Sequence, residues 1–480
     1  MTDDPRLGRM GSFDAVMWGV EADPLLRSVI VAMAVLDSEP DMDVLVDRID
    51  RMTLVTPKLR KRVIGNPVSL VPPRWELDPN FDLSYHVRRY HLPADGTDGP
   101  LMRIAEQLGE QDFDRNRPLW EMAVVHGFDG ERTAVITKVH HAIADGVGGM
   151  AMLASLFDLT RTPAKGGDDE DYGDLGGEPL GAWGRLINGA EFATKSVVSK
   201  SLSAVGAATG AAVHTVTSPA AAVNDTAAFA QSAARLLAPA SEPLSPLMQG
   251  RSLGVRMIVL SMPFAALRGA AKAADATIND TYMAAVAGGI AAYHEAQNAP
   301  AEAIRVNMPV NVRKEGDEAA NRWVPARFVL PIDSGDPIDR IHRYGPILLQ
   351  ARTEPALGVS DSVYRVLSAL PQAATTSISA GMMKGVDVAI TNVPGPPIQL
   401  YVAGAGVEMF VPFAPKAGAA ANVALLTYNG HAYVGLNIDV RAIPDPEVFA
   451  EHIAAGFQEV LDLGKAPGKV QIGVHESSDA

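Results

Sequence analysis

A chain of 480 residues is too long for one hydrophobic core and implies two domains with a linker. Hydrophobic content of 47% and charged content of 20% exclude a disordered chain, and the absence of cysteine excludes disulfides, thiolate catalysis and thiolate metal sites. A net charge of −15 argues against nucleic acid as a partner and against broad attraction to anionic lipid, while leaving hydrophobic contact with lipid open.

The opening residues MTDDPRLGRM carry acidic groups and no apolar stretch, so no secretory signal is expected. No uninterrupted apolar run approaches the length needed to span a bilayer. The expected location is cytoplasmic, or peripheral at the inner membrane or lipid droplets. Residues 28–36, SVIVAMAVL, read as an early buried strand, and residues 41–52 as a helix with Leu45, Ile49 and Met52 on one face. Lys58, Arg60, Lys61 and Arg62 form a basic cluster that reads as a solvated helix end, with phosphate or lipid headgroup contact as the alternative. Arg117 to Glu121 begins a strand expected to pair with the next one across the turn at Gly127 to Gly130. Within it, Trp120 reads as core packing, its large apolar area supporting the layer beneath the following strand.

The stretch from Ala134 to Gly149, AVITKVHHAIADGVGG, organises the rest. Val135 to Val139 is rich in β-branched residues and reads as a buried strand ending at His140. Gly146, Gly148 and Gly149 then allow a tight turn into a helix with Leu153, Leu156 and Phe157 on one face. Successive strand side chains point to opposite faces, so one of His140 and His141 should work in a cavity and the other support it. A neutral imidazole is well suited to take a proton near pH 7, provided a partner fixes its tautomer. Asp145 could orient the histidine or pair with an arginine and lock the loop. Adjacent histidines diverge on a strand, so no metal site is expected.

Beyond Leu159 the composition changes. Residues 165–179 are acidic and glycine-rich and read as a flexible linker, and residues 180–240 are alanine-rich. That segment reads equally as helices packed on a second domain or as an amphipathic element on lipid. The expected division is therefore 1–162, 163–250 and 251–480. Val255 to Leu260 reads as a strand, Phe264 to Ala274 as a helix after Pro263, and Thr277 as the N-cap of the next helix, with Asp280 placed for a capping box. Ile304 to Val312 reads as a strand ending at Arg313, whose planar guanidinium is a natural partner for a buried carboxylate, and an Asp145 to Arg313 pair bridging the domains is expected. Residues 392–397, NVPGPP, form a rigid turn. Two alternating strands meet at Asn429-Gly430, and a closing helix runs from Asp445 to about Leu463.

His140, His141, Asp145 and Gly146 match the HHxxxDG motif of CoA-dependent acyltransferases and peptide-synthetase condensation domains. With Pro118-Leu119-Trp120, Thr277 to Asp280, Pro309 to Arg313 and Asn392 to Pro396, nearly the whole chain resembles the bacterial wax ester synthase/acyl-CoA:diacylglycerol acyltransferase family. The stretch at Pro24 departs from the family, which often has a Met-His pair there, so the acceptor is left open. The resemblance implies an α/β fold of two chloramphenicol-acetyltransferase-like domains, each a mixed sheet with helices, with a substrate channel between them. It implies transfer of a fatty acyl group from acyl-CoA, a substrate rather than a cofactor, to diacylglycerol or a long-chain alcohol. In that reading His141 is the general base, His140, Asp145 and Gly146 complete the motif, and Asp145 is a structural lock more than a proton relay. Asn279 and Asp280 lie near the active site, where Asn279 could donate to a substrate oxygen; Arg313, Pro118, Leu119 and Trp120 give structural support. Arg251, Arg256, Arg322 and Arg327 are basic candidates for CoA. An enzyme for a polar polyketide, peptide or sugar acceptor, and a lipid-associated binding protein with a dead site, are the competing readings. The oligomeric state is not set by the sequence.

Overall fold

The computed structural model describes residues 8–65, 71–93, 98–128, 130, 132–144, 146–162, 175–181, 184–185, 187–188, 242–311, 323–353, 364, 367–368, 370–466 and 468–474. The acidic linker before residue 175 and nearly all of the alanine-rich segment lie outside them. Fifteen strands are formed among the described residues: β1 Val29–Leu36, β2 Lys61–Ile64, β3 Arg74–Leu77, β4 Val87–His91, β5 Trp120–Phe128, β6 Arg132–His140, β7 Val255–Pro263, β8 Ala303–Asn311, β9 Trp323–Pro331, β10 Val388–Val393, β11 Tyr401–Val402, β12 Ala405–Phe413, β13 Ala421–Tyr428, β14 His431–Asp439 and β15 Gln471–Ile472.

Two mixed sheets result, beside a separate antiparallel pair formed by β2 and β3. The first has the order β11-β12-β1-β6-β5-β4 and is antiparallel except at the β4/β5 pair. The second has the order β15-β7-β14-β13-β10-β8-β9, with β10 parallel to both neighbours. Each sheet builds its own core. Helix Met42–Val55, capped by Asp41, puts Leu45, Ile49 and Met52 against the first, as their spacing predicts. Helices Ile278–Ala296 and Pro446–Leu461 cover the second, over Val306, Val388, Val423 and Leu436. Full burial contributes roughly 1.5–3 kcal/mol for each such Val, Leu or Ile side chain. Trp120 is 1% exposed. Its indole N–H donates to Leu59 O at 2.7 Å, and its ring stacks on His86 at 4.6 Å.

The expected division of the chain at residue 251 does not divide the sheets. After β10 the chain leaves the second sheet, and β12 pairs with β1 in the first, from Val31 opposite Phe413 to Leu36 opposite Val407. In the other direction, helix Gly99–Glu110 reaches the second sheet, where Glu106 and Glu110 accept the backbone N–H groups of Met257 and Val255 at 3.0 and 2.8 Å. The two lobes are thus stitched by exchanged segments.

The basic cluster is also not a solvated helix end. Lys58 donates to Ala142 O at 3.0 Å, and Arg60 to Thr53 at 2.8 Å and Asp50 at 2.5 Å, because a short 3-10 turn, Pro57–Arg60, folds these side chains inward. No helix among the described residues is long and apolar enough to cross a membrane.

The sheets touch at Gly435 of β14. A Cβ there would lie 1.8 Å from Pro412 O on β12, a backbone atom that cannot step aside. Gly435→Ala should therefore destabilise the protein by about 1–3 kcal/mol or more, read as a lower denaturant midpoint, through separation of the two sheets.

Candidate active site

The turn after β6 is pinned through its backbone. His140 N donates to Leu119 O at 3.0 Å, His141 N to Ser28 O at 2.9 Å, and Ile143 N to His140 O at 2.9 Å. Leu119, from the Pro118-Leu119-Trp120 stretch, is fully buried, so that motif holds the edge of the histidine turn. On the far side of the turn, the Lys58 ammonium on Ala142 O is also 3.4 Å from Asp14. Gly146 opens helix Gly146–Leu153, and a short 3-10 turn carries the chain on to Leu156.

The two imidazoles separate as strand geometry requires. His140 is fully buried between Trp18 and Phe113, with ring centroids at 5.7 and 6.1 Å. Its Nδ1 accepts the Ala142 N–H at 2.9 Å, which assigns the proton of the neutral ring to Nε2. That Nε2 stands 2.9 Å from Oε1 of Glu21, which also accepts Ser28 N–H at 2.6 Å, while Arg115 reaches Oε2 at 3.2 Å. Burial alone would raise the Glu21 carboxyl, but His140, the Ser28 N–H and Arg115 together outweigh it and hold the group below the ordinary value of 4.5. Glu21 therefore grips both the ring beside His141 and the residue whose carbonyl receives the His141 N–H.

His141, 9% exposed, faces the other way, into a large cavity between the two sheets. Helix Ser12–Val20 supplies Phe13, Val16, Met17 and Val20 to its wall, and helix Gln372–Met383 supplies Ser379, Met382 and Met383. The second sheet lines the opposite wall. Most of the lining is apolar, as in small-molecule pockets generally.

The other sequence-derived candidates are distributed unevenly. Asp145 and Arg313, the proposed interdomain pair, and Arg322 lie outside the described residues. Asn279 sits behind the cavity wall: its Oδ1 accepts from Asn392 Nδ2 at 2.6 Å, and Asn392 is the residue that lines the chamber. Asp280 caps its own helix. Its carboxylate accepts the Thr277 N–H at 3.1 Å and the Thr277 hydroxyl at 2.7 Å, completing a capping box, and an anion so placed cannot stabilise a developing oxyanion. Among the basic candidates for CoA, Arg251 binds the carbonyls of Gly418, Met248 and Val386, and Arg256 pairs with Glu106 and Glu447. Only Arg327 of the described three reaches the cavity, and it also donates to Met382 O. Sequence reasoning missed Glu21 and the cavity role of Asn392; neither has a local signal, since each acquires its partner from a distant segment.

Two family descriptions cover this architecture: the wax ester synthase/diacylglycerol acyltransferase catalytic domain matches residues 10–282, and the WS/DGAT C-terminal domain matches residues 321–460. The chain belongs to the wax ester synthase/diacylglycerol acyltransferase family. A Mycobacterium tuberculosis protein named as a diacylglycerol O-acyltransferase is 34% identical over 467 residues, covering 97% of this chain and 94% of that protein. Another of the same organism, also named as a diacylglycerol O-acyltransferase, is 26% identical over 456 residues, covering 93% and 94%. Among solved structures, the wax ester synthase/diacylglycerol acyltransferase of Marinobacter aquaeolei VT8 superposes with a TM-score of 0.61 at 20% identity, covering 95% of this chain and 99% of that one. The first condensation domain of the calcium-dependent antibiotic synthetase gives 0.57 at 15% identity, covering 95% and 97%. The fold is thus the two-lobed one the resemblance implied, shared by this acyltransferase family and the condensation domains.

Within that family setting, the buried carboxylate carries a pH signature. Because the Glu21 carboxyl is lowered in the folded state, its stabilisation is complete above the ordinary value of 4.5 and is lost as pH falls through the folded value. Wild type should lose stability as pH falls below the ordinary value of 4.5, and Glu21→Gln should show a flatter profile there. Removing the partner instead, by His140→Ala, should lower stability by about 3–5 kcal/mol, because the buried carboxylate loses one of its three compensating groups and a buried ring is deleted from the core. Chemical denaturation across pH checks both.

Proposed function

We propose that this enzyme transfers a fatty acyl group from acyl-CoA to a hydrophobic alcohol, either a diacylglycerol or a long-chain alcohol, with His141 as the general base. The observation that carries this reading is the His141 ring on the wall of a large, mostly apolar chamber between two sheets, with His140 turned into the core behind it. The relatives named as diacylglycerol O-acyltransferases support the same acceptor class.

In this reading His141 takes the hydroxyl proton as the alcohol oxygen attacks the thioester carbonyl. Collapse of the tetrahedral adduct forms the ester C–O bond and breaks the C–S bond, and the proton passes from His141 to the departing sulfur. The products are an ester and free CoA. General-base catalysis contributes about 10²–10⁴-fold, so positioning of both substrates supplies much of the rest. Asn279, acting through Asn392, and backbone N–H groups near Gly146 are the candidates to receive the oxyanion. The acceptors are lipids, and the enzyme is proposed to draw them by peripheral contact with the inner membrane or lipid droplets. Asp145 and Arg313 are proposed to pair and lock the catalytic turn, on the strength of the family motif and of the fit between a guanidinium and a carboxylate.

With radiolabelled palmitoyl-CoA, diacylglycerol or hexadecanol should yield labelled ester, and short alcohols much less; the reverse preference would reject the hydrophobic acceptor. His141→Ala should lower ester synthesis by about 10²–10⁴-fold with an unchanged far-UV dichroism spectrum, and full activity would exclude the general-base role. Asp145→Asn and Arg313→Ala should each be damaging and should combine far from additively. Independent, additive losses would count against the pair.

A further inference from the structure

The cavity face of the second sheet carries a row of side-chain amides. Ala389 of β10 is paired with both Asn307 of β8 and Asn422 of β13, and Asn422 is paired with Asn437 of β14. Residues paired across a sheet project from the same face, so the three asparagines stand in line, separated by about 4.8 Å for each strand crossed. Their strand neighbours Val306, Val423, Leu436 and Ile438 point the other way, into the core.

Asn307 and Asn422 line the His141 chamber, and Asn437 lines an adjoining pocket of about 390 Å³. Pro415, Lys416 and Ala417 border both spaces, so the row runs from one into the other. Amide orientation is set by the protein at two of the three positions. Asn422 Nδ2 donates to Pro415 O at 2.9 Å and Asn437 Nδ2 to Ala414 O at 3.0 Å, which turns each Oδ1 away from the backbone. The Oδ1 atoms of Asn307, Asn422 and Asn437 are buried and accept no hydrogen bond. An orphaned buried acceptor is unfavourable, and three in a line along a passage mark a site for a ligand that carries N–H or O–H donors in series.

The reactants of the proposed function differ sharply in this respect. A diacylglycerol or long-chain alcohol has one donor, the hydroxyl that reacts at His141. An acyl-CoA has, next to its thioester, a pantetheine arm with two amide N–H groups in succession. We infer that Asn307, Asn422 and Asn437 form a track for the pantetheine amides of the acyl donor, leading from the smaller pocket toward His141. The inference rests on the acyl-transfer reading above and adds the residues that select a thioester by its thiol portion.

The test uses the full-length protein, hexadecanol as acceptor, and one acyl chain presented on four thiols: CoA, pantetheine, N-acetylcysteamine with a single amide, and ethanethiol with none. For wild type, kcat/KM should fall by about tenfold for each amide removed. Asn307→Leu, which removes an amide without breaking a side-chain bond, should raise KM for the acyl-CoA about tenfold, flatten the thioester series and leave KM for hexadecanol unchanged. Asn422→Leu should do the same, and binding of CoA alone, followed by calorimetry, should weaken in parallel. Wild-type transfer with an undiminished thioester series in Asn307→Leu would overturn the track, as would a rise in KM confined to hexadecanol. Absence of transfer from any thioester by wild type would instead overturn the acyl-transfer reading itself, and the track with it.

Discussion

Consecutive side chains on a β-strand cannot share a face, and at the end of β6 this constraint assigns two chemically identical imidazoles to opposite surroundings. His140 turns into the first core, against Trp18, Phe113 and Glu21, while His141 turns into the chamber between the sheets. Everything functional follows from that division. A one-residue slip of β6 against β1 would exchange the two rings, taking His140 out of the core and His141 out of the chamber. The slip is opposed along the whole pairing from Val29 opposite His140 to Leu36 opposite Thr133.

The anchor is electrostatic as well as steric. A carboxylate as buried as Glu21 is unfavourable unless neighbours compensate it, and here His140, the Ser28 N–H and Arg115 do so together. Arg115 is itself held over the Trp18 ring at 4.3 Å. The arrangement ties helix Ser12–Val20, the start of β1 and the end of β6 to a single group. Since helix Ser12–Val20 also forms part of the chamber wall, the position of His141 and the shape of the space it faces are set by the same contacts.

The second sheet plays a different part. Its inward face closes a core under helices Ile278–Ala296 and Pro446–Leu461, and its outward face becomes the wall opposite His141 because β12 crosses over to pair with β1. That crossing brings the sheets to backbone contact at Gly435 and Pro412, and leaves the space beyond the contact open. A lone sheet would present the Asn307, Asn422 and Asn437 row to solvent; the crossing encloses it.

The local features were legible in the sequence because their causes are local. Alternation and β-branching predict β1, β6 and the hairpin at Asn429-Gly430, and both turn residues take the positive φ that such a turn needs. Thr277 and Asp280 lie three residues apart, as the capping box they form requires. The histidine motif and its companions pointed to the family for the same reason, since they are short strings with fixed spacing. Tertiary structure alone decided that Glu21 meets His140, that Asn279 reaches the chamber only through Asn392, and that Lys58 of the basic cluster folds inward onto Ala142. It likewise decided that asparagines on three separate strands stand in one row. Strand register and crossover connection determine those meetings, and both are settled by the burial of whole sheets against each other, which no local stretch of residues encodes.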